Sequence, residues 1–283
     1  QVVNRYEAVK LLIEIYLAND DIAAAEKQIK ILLNQYITYK NVEESIYNFA
    51  MKINEKRPAS AGKYFSVILN RFPESDYAML VNLHYGNEAF NSGNYSKAIP
   101  YYEKFLNSNV SRYRGMAFYN LLKAHFNISN YDKVLEIIGK GKIPPLDETQ
   151  WREIPLIHAR SYYKLEQYDQ VYMVLKWENI APLSDDDAYM FVDSTIRTGD
   201  IVNAESLAEK LKERPLIYGK TLELLGNYYK EQNNYLKAEK FFTDVLESET
   251  SMEVKNRAAI SLAVILRDNS NFNRSDYYLN RIE

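Results

Sequence analysis

The chain has 283 residues, with 35 Lys and Arg against 38 Asp and Glu, a formal net charge of −3, and no cysteine. This balance provides neither a basic field for nucleic acid nor a polybasic stripe for a membrane surface. The lack of cysteine excludes disulfides, zinc sites built on thiolates and thiol nucleophiles. Apolar residues make up 47% of the chain, which is typical of a folded protein.

One short pattern recurs along the whole chain. Each copy has a polar turn, then Tyr, Ile or Phe, then a small or β-branched residue three positions later. The copies lie at residues 19–25, 92–98, 128–134, 165–171, 198–204, 232–238 and 269–275, with a degenerate copy at 56–61. Their anchors are Ile22, Pro58, Tyr95, Tyr131, Tyr168, Ile201, Tyr235 and Phe272, spaced by 36, 37, 36, 37, 33, 34 and 37 residues. A period in this range predicts a solenoid of stacked repeats.

The residues between the anchors follow a helical pattern. Apolar residues recur at intervals of three and four on both sides of each turn, and no apolar/polar alternation indicates a sheet. We therefore predict a single all-α solenoid over 1–283. Its helical hairpins are expected at about 5–38, 42–74, 78–110, 114–144, 151–182, 185–215, 218–250 and 254–283.

Prolines agree with this phase. Pro73, Pro145, Pro182 and Pro215 follow second helices, Pro58 opens one, and Pro155 lies early in a first helix. Pro100 falls inside a second helix and is expected to bend it or delay its start. Two connections, 139–150 and 178–187, are predicted either as longer loops between repeats or as soft hinges.

The small and aromatic positions resemble the tetratricopeptide repeat. The seventh unit carries Leu222, Leu225, Gly226, Tyr229, Ala238 and Phe242; the third carries Gly86, Ala98 and Tyr102; the second carries Ala61, Phe65 and Pro73. Other units have larger residues at the small positions. The resemblance implies a right-handed superhelical α-solenoid of about eight hairpins, whose first helices line a concave face.

A second resemblance lies at residues 64–78. Arg71, Phe72, Pro73, Ser75, Tyr77 and Ala78 are similar to junctions in bacterial envelope repeat proteins, namely outer-membrane-assembly lipoproteins and Tol-Pal-associated coordinators. This similarity implies a periplasmic or envelope location, with a cytoplasmic location as the alternative.

No catalytic, cofactor or metal site is predicted. His84, His125 and His158 lack the partner spacing that a metal site needs, although His125 and His158 occupy inward phases of neighbouring first helices. There is no nucleophile motif and no phosphate loop. The acidic run at residues 185–187 is interpreted as capping and charging the start of a helix.

Tyrosine is the compositional outlier, with 25 copies. Positions that point into the groove of the resembling family combine aromatic residues with Lys and Arg, the residue types of binding anchors. The predicted partner-binding residues are Asn87, Phe90, Tyr119, Lys123, Phe126, Arg160, Tyr163 and Tyr189. The alternative is that they only pack adjacent hairpins. The carboxylate clamp of chaperone-tail binders is missing, since Leu83 and Glu223 stand where Lys is needed.

The ends of the chain add two expectations. The chain starts at Gln1, so a preceding segment is expected to be missing, and the last unit ends at residues 277–282 without a polar capping helix. The eighth hairpin therefore packs on another chain, which gives self-association through terminal repeats, or the natural protein continues.

The leading functional hypothesis is a non-catalytic scaffold that binds a protein or peptide segment, without nucleic acid and without inserting into a membrane. The alternative is a regulatory or targeting module of a larger protein whose catalytic part lies elsewhere.

Overall fold

The structure is a computed structural model that describes residues 2–175, 183–280 and 282. These residues form 16 α-helices and no strand. The helices are α1 Val2–Ala18, α2 Ile22–Gln35, α3 Val42–Lys56, α4 Pro58–Arg71, α5 Asp76–Asn91, α6 Tyr95–Leu106, α7 Arg114–Asn127, α8 Tyr131–Gly139, α9 Glu148–Lys164, α10 Tyr168–Leu175, α11 Asp185–Arg197, α12 Ile201–Glu209, α13 Pro215–Glu231, α14 Tyr235–Glu247, α15 Met252–Asp268 and α16 Phe272–Leu279.

The repeat anchors mark helix starts. Each even-numbered helix begins at one of the predicted anchors, from Ile22 in α2 to Phe272 in α16. The odd-numbered helices are called first helices below and the even-numbered helices second helices. The predicted all-α solenoid class is confirmed.

The chain divides into two compact units. Unit 1 comprises Gln1–Asn130 and Lys142–Gln150, and unit 2 comprises Tyr131–Gly141 and Trp151–Glu283. In unit 1, buried side chains such as Phe49, Phe65 and Tyr102 fill the space between α3, α4, α5 and α6. In unit 2, one cluster includes Phe191 and Leu225, and another centres on Phe242. The organisation as a single solenoid stays a prediction.

The turn between first and second helix has one recurring geometry. Its middle residue takes a left-handed backbone conformation in seven turns, at Asp20, Gly93, Ser129, Glu166, Gly199, Asn233 and Ser270. The next residue donates its N–H to a carbonyl five positions earlier, as in Asn94 N to Ala89 O at 2.8 Å and Asn234 N to Tyr229 O at 2.9 Å. This is a Schellman ending of the first helix.

The residue that completes this ending also caps the second helix. The side chains of Asp21 and Asn94 accept hydrogen bonds from the backbone N–H groups of Ala24, at 3.0 Å, and Lys97, at 3.3 Å. Asp200 and Asn234 cap α12 and α14 in the same way. One polar residue thus serves two helix ends, which explains why a polar tract precedes the anchors.

At the left-handed turn positions, glycine should give a more stable protein than any other residue, and two turns of unit 2 allow this to be tested. Glu166 has φ 58° and Gly199 has φ 83° at equivalent turn positions. Glu166→Gly should raise the free energy of unfolding by up to about 1 kcal/mol, because glycine adopts this conformation without a steric cost, and Gly199→Ala should lower it by about 1 kcal/mol. Urea unfolding followed by circular dichroism measures both changes. Shifts of the same sign in the two variants would contradict this account of the turn.

Small residues lie where a first helix meets the aromatic side chain of its second helix. A Cβ placed on Gly226 would lie 2.7 Å from Phe242, and one on Gly86 would lie 3.0 Å from Tyr102. Phe242 and Tyr102 are fully buried. Any larger residue at these glycines would push the two helices apart.

The close contact at Gly226 can be tested by comparison with a glycine that has free space around its Cβ position. Gly226→Ala should lower the free energy of unfolding by about 1–2 kcal/mol, since the buried Phe242 ring has no room to move away. Gly62 lies inside α4 with no atom within 4 Å of its Cβ position. The control Gly62→Ala should therefore raise the free energy of unfolding by about 0.5–1 kcal/mol through helix propensity. Thermal and urea unfolding measure both, and a stabilising Gly226→Ala would refute the close-packing argument.

Within each unit, the contacts between neighbouring hairpins differ between first helices and second helices. First helices contact the next first helix, as α1 with α3 and α3 with α5 in unit 1, and α11 with α13 and α13 with α15 in unit 2. In the part of the chain that the structure describes, the corresponding second helices α2 and α4, or α12 and α14, share no such contact. Because first helices lie closer together than second helices, each unit curves with its first helices on the inner side.

Four expectations about helix boundaries need correction or restriction. α6 begins at Tyr95 and runs through Pro100, so Pro100 does not delay its start. α9 begins at Glu148, which makes Pro155 its eighth residue and places it in the helix interior, not near its start. Part of the segment 139–150 is therefore helical. Of the segment 178–187, residues 178–182 lie outside the described residues.

The segment before α9 belongs to unit 1. Asp147 and Gln150 form reciprocal hydrogen bonds of 2.8 and 3.3 Å between side chain and backbone, a capping arrangement at the start of α9. The carbonyl oxygen of Pro145 lies 2.2 Å from the position that a Cβ of Gly115 would occupy. This close approach requires glycine at residue 115.

Candidate protein-interaction surface

The candidate surface is the inner side of the first helices, and it is described separately for each unit. The eight predicted residues divide between the units. Asn87, Phe90, Tyr119, Lys123 and Phe126 lie on unit 1, and Arg160, Tyr163 and Tyr189 lie on unit 2. A single groove that includes all eight stays a prediction.

Asn87 on α5 is held in place by a hydrogen-bond network. Its side-chain oxygen accepts from the Tyr102 hydroxyl at 2.9 Å and from the Asn120 amide at 3.5 Å, and the Asn120 amide also reaches the Tyr102 hydroxyl at 3.3 Å. Burial, the main cause, raises the pKa of Tyr102 to about 12. The network links α5, α6 and α7 and leaves Asn87 half-buried at the surface.

The remaining unit 1 residues are aromatic or lie next to an aromatic ring. Phe90 contacts the Tyr95 ring edge-on, with centroids 5.1 Å apart. The Lys123 ammonium lies 5.0 Å from the centroid of the Tyr119 ring, a cation–π contact along α7. Phe126 is half-buried one turn further along α7. These residues form the unit 1 face.

Arg160 on α9 is engaged inside the protein. Its Nε and Nη2 groups each donate to one carboxylate oxygen of Asp187 at 2.6 Å. The Asp187 side chain is only 3% exposed and also accepts from the Ser184 hydroxyl at 2.6 Å. Burial alone would raise the pKa of Asp187, but the hydrogen bonds from Arg160 and Ser184 hold it below its ordinary value. Arg160 therefore joins α9 to α11.

The acidic run at residues 185–187 charges the start of a helix as predicted, but it does not provide the cap. The N-cap of α11 is Ser184, whose hydroxyl accepts from the Asp187 N–H at 3.2 Å. Asp185 pairs with Arg214, and Asp187 pairs with Arg160. The three acidic residues do occupy the first turn of the helix, where they complement the macrodipole.

Tyr163 forms a second link between α9 and α11. Its hydroxyl donates to Asp193 at 2.7 Å, and Arg197 donates to the same carboxylate oxygen at 2.8 Å. Burial, and then this hydrogen bond to an anion, raises the pKa of Tyr163. The Tyr163 hydroxyl is thus used within unit 2.

A third ion pair joins α13 to α15. Arg257 donates from Nε and Nη2 to the two carboxylate oxygens of Glu223, at 2.7 and 2.8 Å, and from Nη1 to Glu253 at 2.6 Å. This bidentate pair, chiefly through the hydrogen bonds that Glu223 accepts, raises the pKa of Arg257. Charged hydrogen bonds therefore join α9 to α11 and α13 to α15 in unit 2.

Two residues of the unit 2 face were missed from the sequence. Ile260 and Val264 on α15 are 47% and 44% exposed. They stand three positions before and one after Ala263, the small residue at the phase of Gly226, so the rule that selected Tyr189 also selects them. The unit 2 face is defined here by Arg160, Tyr163, Tyr189, Asp193, Glu223, Asn227, Arg257, Ile260 and Val264.

Other sites on the described part of the chain are sparse. No group of three His, Asp or Glu side chains there is placed to hold a metal ion, and none of the described helices is long and apolar enough to cross a membrane. His84 packs against Phe65 with ring centroids 5.0 Å apart, and burial lowers the pKa of His84 and of His158. These histidines are packed in the helical layers.

No family model matches the sequence, and no curated protein matches it. Among solved structures, one of Naa15/Naa10 bound to HypK-THB has a TM-score of 0.61 at 15% identity, covering 98% of this chain and 42% of that chain. This similarity shows the fold.

Two further matches have TM-scores below 0.5 and add nothing to that result. A tetratricopeptide repeat protein from Parabacteroides merdae has a TM-score of 0.41 at 16% identity, covering 92% of this chain and 98% of that chain. PilF of Pseudomonas aeruginosa has a TM-score of 0.40 at 14% identity, covering 84% and 97%. The α-solenoid fold that the tetratricopeptide resemblance implies is supported by the Naa15/Naa10 similarity, and the resemblance to envelope proteins stays a prediction.

The Arg160–Asp187 pair gives a testable stability difference. Arg160→Ala should lower the free energy of unfolding by about 2–4 kcal/mol, because it leaves a buried carboxylate without its partner. The matched control is Lys212→Ala, whose pair with Glu209 is more than 60% exposed on both sides. Because water screens an exposed pair, this control should leave the free energy of unfolding almost unchanged. Urea unfolding measures both, and equal losses would show that Asp187 does not depend on Arg160.

Proposed function

We propose that the protein is a non-catalytic scaffold that binds a segment of a partner protein on the inner face of its first helices. The observation that carries this proposal is the set of aromatic and aliphatic side chains left half-buried or exposed there, namely Tyr119, Phe126, Tyr189, Ile260 and Val264. Within each unit, helices present these side chains on one side, as the binding of a peptide or helix requires.

The fold supports the same class of function. Stacked helical hairpins expose long continuous faces, which suit binding to extended partners. In the similar solved structure, Naa15/Naa10 is bound to HypK-THB. The alternative is that this chain is a regulatory or targeting module of a larger protein whose catalytic part lies outside it. Both proposals assign recognition of a protein to these residues.

A bacterial envelope assembly is the proposed setting. The resemblance of residues 71–78 to junctions of envelope repeat proteins supports it. In this junction Phe72 is the C-cap of α4, and Ser75 caps α5 by accepting a 3.1 Å hydrogen bond from the Ala78 N–H. The cysteine-free composition is compatible with that compartment. Fractionation of the cells that naturally make the protein tests this setting, and recovery of the full-length protein only in the cytosol would refute it.

Site-specific photocrosslinking tests the binding face. A photoreactive phenylalanine analogue replaces Tyr119 on unit 1 or Tyr189 on unit 2, in the full-length protein and in its own cells. Matched positions on second helices are Val202 and Leu236, which are 75% and 86% exposed. We expect crosslinks to a discrete partner from at least one of the first-helix positions, several times stronger than from Val202 or Leu236, because only the inner face holds the partner segment.

Two outcomes would contradict the proposal. Crosslinks confined to Val202 and Leu236 would show that the partner binds the second helices instead of the first helices. No crosslink from any of the four positions, with the protein folded and present at its natural level, would remove segment binding by these faces.

A further inference from the structure

The middle of the unit 2 face contains charged side chains that already have partners. The carboxylate of Asp193 on α11 accepts hydrogen bonds from Tyr163 on α9 and from Arg197 on α11. All three nitrogen groups of the Arg257 guanidinium donate to Glu223 and Glu253. A ligand group that bound the Asp193 carboxylate or the Arg257 guanidinium would therefore have to displace these hydrogen bonds, which makes recognition of a charged partner by these two groups unfavourable.

The unit 2 face also contains uncharged groups that are available to contact a partner. The hydroxyl of Tyr189 and the carboxamide of Asn227 make no hydrogen bond with another residue of the described chain, and both side chains are half-buried. Ile260 and Val264 lie one turn apart on α15 and are nearly half exposed. Arg257 precedes Ile260 by one turn and donates to Glu223, which precedes Asn227 by one turn, so Asn227 and Ile260 lie at the same level of neighbouring helices.

The chemistry of Asn227 indicates the conformation of the partner. A carboxamide offers one acceptor and one donor group, which match the N–H and C=O of a peptide unit. A helix uses those backbone groups internally, whereas an extended segment leaves them free. Ile260 and Val264 then require aliphatic side chains opposite them, since burying an aliphatic surface against polar groups gains little.

We propose that the Tyr189–Asn227–Ile260–Val264 patch binds an extended, uncharged, aliphatic segment of a partner protein. This inference rests on the proposed function and specifies the class of partner for unit 2. Asp186, Lys220, Lys230 and Arg267 are further charged residues of the same helices, at partly or fully exposed positions. They contribute weakly because water and salt screen them.

A random library of displayed 12-residue peptides provides the probe. The full chain is used for selection, and enriched peptides are then measured as soluble synthetic peptides by fluorescence anisotropy. We expect net-neutral sequences with alternating or clustered Val, Ile and Leu and with low helix propensity. Their Kd should change by less than about twofold between low and high salt, because no ion pair forms on binding.

Variants of the chain connect these peptides to the patch. The double variant Ile260→Ser/Val264→Ser and the single variant Asn227→Ala should each weaken binding at least about tenfold, which corresponds to about 1.4 kcal/mol. The control is Val202→Ser/Leu236→Ser, which removes two more exposed aliphatic residues from second helices and should leave Kd unchanged. Circular dichroism checks that every variant keeps its helical content and melting temperature.

The outcomes separate this inference from the proposed function. Enriched peptides that are charged and salt-sensitive, yet lost in the Ile260→Ser/Val264→Ser variant, would overturn the partner class while the binding face stands. Peptides that bind equally to wild type and to that variant, or no enrichment over an empty surface, would overturn the patch itself. Equal losses in the first-helix and second-helix double variants would also overturn it.

Discussion

The structure depends on the short turn that joins a first helix to its second helix, which is three residues long in seven of the eight described hairpins. In these turns a left-handed residue ends one helix and the following polar residue completes that ending, and Asp21, Asn94, Asp200 and Asn234 also cap the next helix. Because the turn is so short, it sets the rotational phase between the two helices. The phase brings Gly86 against Tyr102 and Gly226 against Phe242, so that these two hairpins each close around one aromatic side chain.

Packing between hairpins follows from that closure. First helices contact the next first helix within each unit, whereas α2 and α4, or α12 and α14, do not contact each other in the described part of the chain. The inner side is therefore formed by first helices. The same class carries the exposed Ile260 and Val264 and the half-buried Tyr119 and Tyr189. A binding face on a solenoid is in this sense a consequence of unequal spacing, since it needs no special loop or cavity.

Charged side chains on the unit 2 face form hydrogen bonds that connect its first helices. Arg160 with Asp187, Tyr163 with Asp193, and Arg257 with Glu223 connect α9 to α11 and α13 to α15. Their polar groups are satisfied before any partner arrives, and Asp187 is too buried to be released at low cost. What remains for recognition is amide, hydroxyl and aliphatic surface, which is why the proposed partner is uncharged. Arg160 and Tyr163 then act by holding the face together.

Local chemistry by itself determined the repeat, the helix starts from Ile22 to Phe272 and the small positions beside Tyr102 and Phe242, because turn residues and helical periodicity act over a few neighbouring positions. The same phase rule placed Tyr189 on the inner face and would have placed Ile260 and Val264 there. The pairing of Arg160 with Asp187, 27 residues away, was decided only in the tertiary structure. So were the start of α9 at Glu148 and the membership of the segment before it in unit 1. These features depend on which side chains meet across neighbouring repeats, and helical periodicity specifies the face of a residue but not its partner on the next helix.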